Sequence, residues 1–229
     1  MQFFILGASD RTGQLVTTAA LQNGHTVNAL VRRPDALAPQ SNLHIVKGTP
    51  QSQPDIEAAF TASITCNRPI DAVISTLNAA RKTDSPFSEP VAPPMFVRDC
   101  VANAVAVMQA HGARKLVVMS AFGVGSSYAQ LPFPMKALFR YSNMRWQIED
   151  HDALDQGLRE GTIGDGKVEW VLVRPARLVE GAKGQVREMV EEGVGVGWLG
   201  SVSRESVAGW LVQAAEGGTG WRRVVVVAS

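Results

Sequence analysis

Apolar runs rich in β-branched residues alternate along this chain with segments whose apolar residues recur every three to four positions. The first run spans residues 2–6 and stops at Gly7. Residues 11–23 read as a helix with Leu15, Val16, Ala19 and Ala20 on one face and Gly24 placed to end it. Strands are expected at 26–31 and 43–46, then a helix over 54–65 opened by Pro54 in its first turn. The continuous apolar run 71–77 reads as a fourth strand. A long helix follows over 94–111, with Val97, Val101, Val105 and Met108 at helical spacing and Gly112 behind it. Strand 115–119, a helical pattern over 138–160, strand 168–173, helix 203–216 and strand 223–227 complete the order.

Continuous apolar strands alternating with helices predict a doubly wound, Rossmann-like α/β fold. Its mostly parallel sheet would be covered on both faces, as a single domain over residues 1–229. Ligands of such sheets lie beyond the carboxyl ends of the strands, where the strand order reverses. Two irregular segments, 78–93 and 122–135, follow strands and are expected over that crevice. The segments 122–135 and 176–202, the latter Gly-rich from Gly181 to Gly200, are expected on the substrate side.

The chemistry begins directly after the first strand. Gly7-Ala8-Ser9-Asp10-Arg11-Thr12-Gly13 has the spacing of a nucleotide-binding turn. Gly7 allows the tight turn, Gly13 the close packing of helix on strand, and the first helical N–H groups can receive a diphosphate. Asp10 stands where bare backbone is usual. A carboxylate ~5 Å from a phosphate at an effective dielectric of ~20 costs about 3 kcal/mol, on the order of a hundredfold in affinity. As an N-cap it would also take the same N–H groups; turning to solvent or pairing with Arg11 would relieve both. The second strand ends Val31-Arg32-Arg33-Pro34 with no acidic residue for a ribose hydroxyl. Guanidinium groups suit the 2′-phosphate of NADP(H), Arg32 being the better placed.

Taken in order, GASDRTG, VRRP, DAVISTL, HGARKLVVMSAFG and WVLVRPARL resemble the atypical short-chain dehydrogenase/reductases with an NAD(P)-binding, NmrA-like fold. The likeness is greatest to the biliverdin reductase B/flavin reductase branch. It implies NADPH as hydride donor, with Gly7, Ser9, Thr12 and Gly13 in the phosphate turn and Arg32 at the basic strand end. It also implies cofactor contacts from Thr76, Leu77 and Asn78, Ser120 after the fifth strand, and Pro175, Arg177 and Leu178 beside the nicotinamide. Arg177 replaces a histidine of that branch, and Asp10 a glycine.

For proton transfer the residues offer three candidates. Ser120 ends a parallel strand. Tyr141 and Arg145 imitate a Y-x-x-x-K pair, although a guanidinium lacks the compact geometry of a lysine ammonium. His151 lies among Glu149, Asp150 and Asp152, which would favour its protonated form.

Composition narrows the field. With 229 residues, 45% hydrophobic, the chain can bury one sizeable core, and a net charge of +1 provides no general attraction for nucleic acid or anionic membrane. Cys66 and Cys100 form no metal or disulfide pattern, no apolar stretch reaches bilayer length, and residues 1–6 lack the form of a secretory leader. The expectation is a cytoplasmic enzyme with a small-molecule substrate, without metal, nucleic-acid or membrane partners. It would be an NADP(H)-dependent oxidoreductase acting on a small carbonyl, quinone or related metabolite. Two alternatives stay open. One is a non-redox isomerase or cyclase descended from a reductase that weakened or lost its cofactor, as Asp10 and the missing Tyr/Lys pair suggest. The other is a nucleotide-sensing, NmrA-like regulator.

Overall fold

The structure is a computed structural model that describes residues 1–62, 69–197, 200–217 and 220–229. The strands β1 (Gln2–Leu6), β2 (Thr26–Val31), β3 (Leu43–Lys47), β4 (Ala72–Ser75), β5 (Lys115–Met119) and β6 (Glu169–Pro175) are all parallel, and β10 (Arg223–Ala228) continues them beside β6. Strand β8 (Arg187–Met189) closes the edge antiparallel to β10, giving one eight-stranded sheet in the order β3-β2-β1-β4-β5-β6-β10-β8. A two-stranded ribbon pairs β7 (Arg177–Val179) with β9 (Ser201–Ser203). The order reverses between β1 and β4, which is where a doubly wound sheet opens its crevice.

Alternation along each strand divides the core. Phe3 and Ile5 pack under α1 (Arg11–Gln22) and α6 (Arg204–Glu216), whereas Phe4 and Leu6 pack under α2 (Gln53–Thr61), α3 (Phe96–Ala110) and α5 (Met144–Glu160). Both faces of β1 are fully buried, which is why its sequence reads as an uninterrupted apolar run. Gly24 and Gly112 end α1 and α3 with φ of +77° and +73°, as their sequence positions predict. Ser52 caps α2 by accepting the Asp55 N–H, one residue ahead of the expected start. The expected end of that helix, Thr65, and Cys66 lie outside the described residues.

The expected helix over 138–160 is two helices, α4 (Phe133–Tyr141) and α5. Ser142 between them is extended (φ −114°, ψ 176°), and its hydroxyl accepts the Met144 N–H. Asn143 turns away to bond the 86–88 backbone with both its N–H and its side-chain amide. Ser and Asn compete with the helix for backbone partners, and here they win. Among the described residues no helix is long and apolar enough to cross a membrane.

Candidate functional site

The carboxyl edge of the sheet carries a crevice built from two adjoining hollows. The first, of about 160 Å³, is lined by Gly7, Ser9, Asp10 and Arg32, by Leu77 and Asn78, and by the 49–51 and 91–93 segments. The second, of about 320 Å³, begins at the same Leu77 and Asn78 and continues past Ser120, Pro175, Arg177 and Leu178 to His151. Leu77 and Asn78, at the switch point after β4, therefore join the phosphate-turn end to the Ser120 end.

The turn at Gly7 fits a diphosphate cradle. Gly7 has φ +82°, and a Cβ there would meet Thr76 Oγ1 at 2.8 Å. A Cβ on Gly13 would fall on the Gly7 carbonyl oxygen, so helix and strand end touch backbone to backbone. Asp10 sits at the N-cap of α1 in extended conformation, but its side chain accepts no capping hydrogen bond. The first turn of α1 thus keeps its N–H groups free of the Asp10 side chain, which still lines the hollow. Nor does Asp10 pair with Arg11, which instead reaches Asp84 at 3.0 Å on the surface. Burial pushes the Asp10 carboxyl up, and the nearby Arg32 guanidinium pulls it down.

Arg32 lines the first hollow from the end of β2, while Arg33 is exposed and opens a short 3-10 turn, Pro34–Ala36, outside it. Thr76 is buried and spends its hydroxyl on the Leu6 and Gly7 carbonyls, so it holds the cradle in shape. One cation near the cradle was not legible in the sequence. Arg204, the first residue of α6, places Nη1 3.5 Å from Thr12 Oγ1 while its Nε donates to Glu180. It belongs to a helix nearly two hundred residues from the turn, and only the packing of α6 on α1 reveals it.

The second hollow is mostly apolar, and its polar side chains are Asn78, Ser120, Gln147, His151 and Arg177. Ser120 is 7% exposed and His151 3%; among the described residues neither Ser120 Oγ nor His151 Nδ1 has a hydrogen-bond partner. The expected protonated state of His151 is reversed. Asp150 faces away, accepting the Val97 and Arg98 N–H groups at 2.9 Å each and so capping α3, whose own N-cap, Met95, is left-handed. Asp152 accepts the Gly125 N–H at 2.6 Å. His151 is left in an apolar site where desolvation pushes its imidazole down to about 4. Tyr141 is 75% exposed at the end of α4, stacked against the Arg140 guanidinium, and lines a separate surface hollow with Arg145. It is not brought to Ser120. Cys100 is buried, and burial aided by Asp150 and Asp99 pushes its thiol up to about 12.

The depressed His151 makes a prediction. Its native pKa lies below its ordinary 6.5, so the stabilisation from keeping it neutral is fully present above 6.5 and is lost as pH falls from 6.5 toward 4. The loss is on the order of 3 kcal/mol. In thermal unfolding at stepped pH, the wild type should lose Tm across that window more steeply than His151→Phe. Parallel curves would show that His151 is not buried neutral.

A family model for NAD(P)H-binding proteins matches residues 7–217. No curated protein matches the sequence. Among solved structures, ChuY, an anaerobilin reductase from Escherichia coli O157:H7, aligns with a TM-score of 0.75 at 19% identity over 99% of this chain and 96% of its own. A wide-type short-chain dehydrogenase/reductase from Veillonella parvula, in complex with NADP, aligns with a TM-score of 0.74 at 17% identity over 100% and 94%. The oxidoreductase ylbE from Lactococcus lactis aligns with a TM-score of 0.71 at 13% identity over 99% and 90%. At these identities the likeness establishes the fold.

Proposed function

This chain belongs to the NAD(P)H-binding family, and we propose that it is an NADP(H)-dependent oxidoreductase that reduces a small carbonyl or quinone metabolite. The observation carrying this reading is the continuous crevice: a backbone cradle and Arg32 at one end, an apolar cavity with unpartnered Ser120 and His151 at the other, joined through Leu77 and Asn78. The N–H groups of Arg11, Thr12 and Gly13 would hold the diphosphate, and Arg32 the 2′-phosphate. Arg204 adds positive charge behind Thr12. Bound NADPH would supply a hydride. The chain's own part is to exclude water with the apolar lining and to hold the acceptor oxygen by hydrogen bonds from Ser120 and His151. The sequence blocks support a finer placement near the biliverdin reductase B/flavin reductase branch. The reading of a descendant without cofactor drew on Asp10 and on the missing Tyr/Lys pair; Asp10 leaves the amides of α1 uncapped, whereas Tyr141 lies away from Ser120.

Calorimetric titration with NADPH and NADH tests the proposal. NADPH should bind more tightly. Arg32→Ala should weaken NADPH about ten- to hundredfold, the value of a charge-assisted hydrogen bond, and leave NADH nearly unchanged. Asp10→Gly should tighten NADPH, because the carboxylate offsets the Arg32 charge that the phosphate needs. An unaltered NADPH/NADH ratio in Arg32→Ala would remove Arg32 from the site, and binding of neither nucleotide would overturn the assignment.

A further inference from the structure

Resting on the reductase reading above, we propose that Arg204 is a second phosphate anchor. It exchanges Glu180 for the diphosphate that NADPH and NADH share, while Arg32 serves the 2′-phosphate alone. Its position, its free donors and the charges around the turn carry the assignment.

Arg204 owes its place to the β7–β9 ribbon. The ribbon pairs Arg177 with Ser201, Leu178 with Val202 and Val179 with Ser203. One step further in the same register stand Glu180 and Arg204, and their side chains meet, Nε donating to Oε1 at 2.9 Å. Ser203 caps α6 by accepting the Ser206 N–H at 3.1 Å, so Arg204 opens a helix whose first turn is fixed. Helix α6 packs along α1, which brings Arg204 Nη1 to 3.5 Å from Thr12 Oγ1. Thr12 lies in the first turn of α1, the turn whose N–H groups form the cradle.

The guanidinium has donors to spare. Nε serves Glu180 and Nη1 leans on Thr12, while among the described residues Nη2 has no hydrogen-bond partner. Arginine presents its N–H donors in a planar fork that can meet two phosphate oxygens at once. The Arg204 side chain is 20% exposed and that of Glu180 74%. An ion pair with one partner so far into solvent contributes little, so giving it up costs little. A diphosphate seated on the backbone amides of α1 offers the fork a denser negative charge.

The other cations near the turn are committed. Arg11 pairs with Asp84 on the surface. Arg32 is the cation acting on the Asp10 carboxyl, so part of its charge is offset before a nucleotide arrives. Asp10 itself lines the first hollow and repels a phosphate. Neutral amides alone do not balance that carboxylate. Arg204, on the Thr12 side of the turn, supplies the positive charge the diphosphate needs.

The test titrates NADPH and NADH by calorimetry into the wild type and its variants, with thermal unfolding of the free proteins as the check on folding. Arg204→Gln should weaken both nucleotides by the same factor, about tenfold, the worth of one hydrogen bond to a charged group. Arg32→Ala, by contrast, should weaken NADPH alone. Arg204→Lys keeps the charge without the fork and should lose about threefold. Glu180→Gln should tighten both nucleotides about two- to fivefold, because the fork no longer leaves a carboxylate behind. A purely structural tie gives the opposite sign there, since losing either partner loosens the same joint. Unchanged affinity for both nucleotides in a folded Arg204→Gln overturns the proposal, as does a loss confined to NADPH or a weakening by Glu180→Gln. If Arg204→Gln does not fold, Glu180→Gln carries the test, and unchanged affinity in it overturns the proposal. Failure of the wild type to bind either nucleotide overturns the reductase reading and this inference together.

Discussion

Gly13→Val should abolish nucleotide binding, with a loss of at least a hundredfold, and lower Tm by about 5–10 °C. The added Cβ would fall on the Gly7 carbonyl oxygen and within 2.9 Å of the Ala8 Cα. All of these partners are backbone, so no rotamer change relieves the overlap. The helix must move off the end of β1, and overpacking of this kind costs about 1–3 kcal/mol or more. In a chain of this size each kcal/mol lowers Tm by roughly 2–4 °C. The loss of affinity is larger than the loss of stability because the displaced turn carries the N–H groups that receive the diphosphate. Gly24→Ala is the contrast: its φ of +77° makes a side chain strained, but a Cβ there meets nothing within 4 Å. It should cost about 1 kcal/mol and leave nucleotide affinity intact. Calorimetry and thermal unfolding on the two variants separate the effects, and wild-type affinity in a folded Gly13→Val would show that the first turn of α1 is not the cradle.

The architecture was legible because burial on both sheet faces leaves an unambiguous signature. Strands such as β1 and β4 have no polar face to blur them, and Gly24 and Gly112 mark helix ends that require left-handed backbone. The phosphate turn was legible for a similar reason, since Gly7 and Gly13 answer local steric demands. What failed to read was set by distant partners. The split between α4 and α5 depends on Asn143 finding the 86–88 backbone, and a heptad count cannot see that loop. His151 looked protonated because three carboxylates flank it in sequence. In space Asp150 serves α3 and Asp152 serves Gly125, leaving the imidazole among apolar groups. Asp10 looked obstructive because its charge and its capping capacity both stand at the turn, yet its side chain caps no N–H. Arg204 was invisible because only the packing of α6 on α1 brings it to the turn.

Arg174 carries the other large effect, through its partner Asp155. The guanidinium is fully buried near the end of β6. Its Nη2 donates to Asp155 Oδ2 at 2.6 Å, and its Nη1 to Ser126 Oγ at 2.9 Å and the Glu191 carbonyl at 3.0 Å. Arg159 completes the ring by reaching Asp155 and Glu191 at 2.6 and 2.7 Å. One buried charge thus ties α5 and the 125–127 and 191 segments to the strand that ends at Pro175, and both α5 and Pro175 line the Ser120 cavity. Burial pushes the Arg174 guanidinium down, and Asp155 is the largest opposing influence. Asp155→Asn removes that influence and leaves a buried cation hydrogen-bonded to neutral groups only, with Glu191 and Asp152 as the more distant anions, and breaking one partner of a buried pair costs about 3–5 kcal/mol. At 2–4 °C per kcal/mol the expected fall in Tm is about 10 °C. Arg174→Met should be milder, because Asp155 keeps Arg159, and the double change Arg174→Met/Asp155→Leu should regain most of the stability lost by Asp155→Asn. The order of the three melting temperatures is the decisive reading. If Arg174→Met unfolds at a lower temperature than Asp155→Asn, the pair does not work by compensating a buried charge. A double variant as unstable as Asp155→Asn would point instead to an irreplaceable hydrogen-bond network through Ser126 and the Glu191 carbonyl.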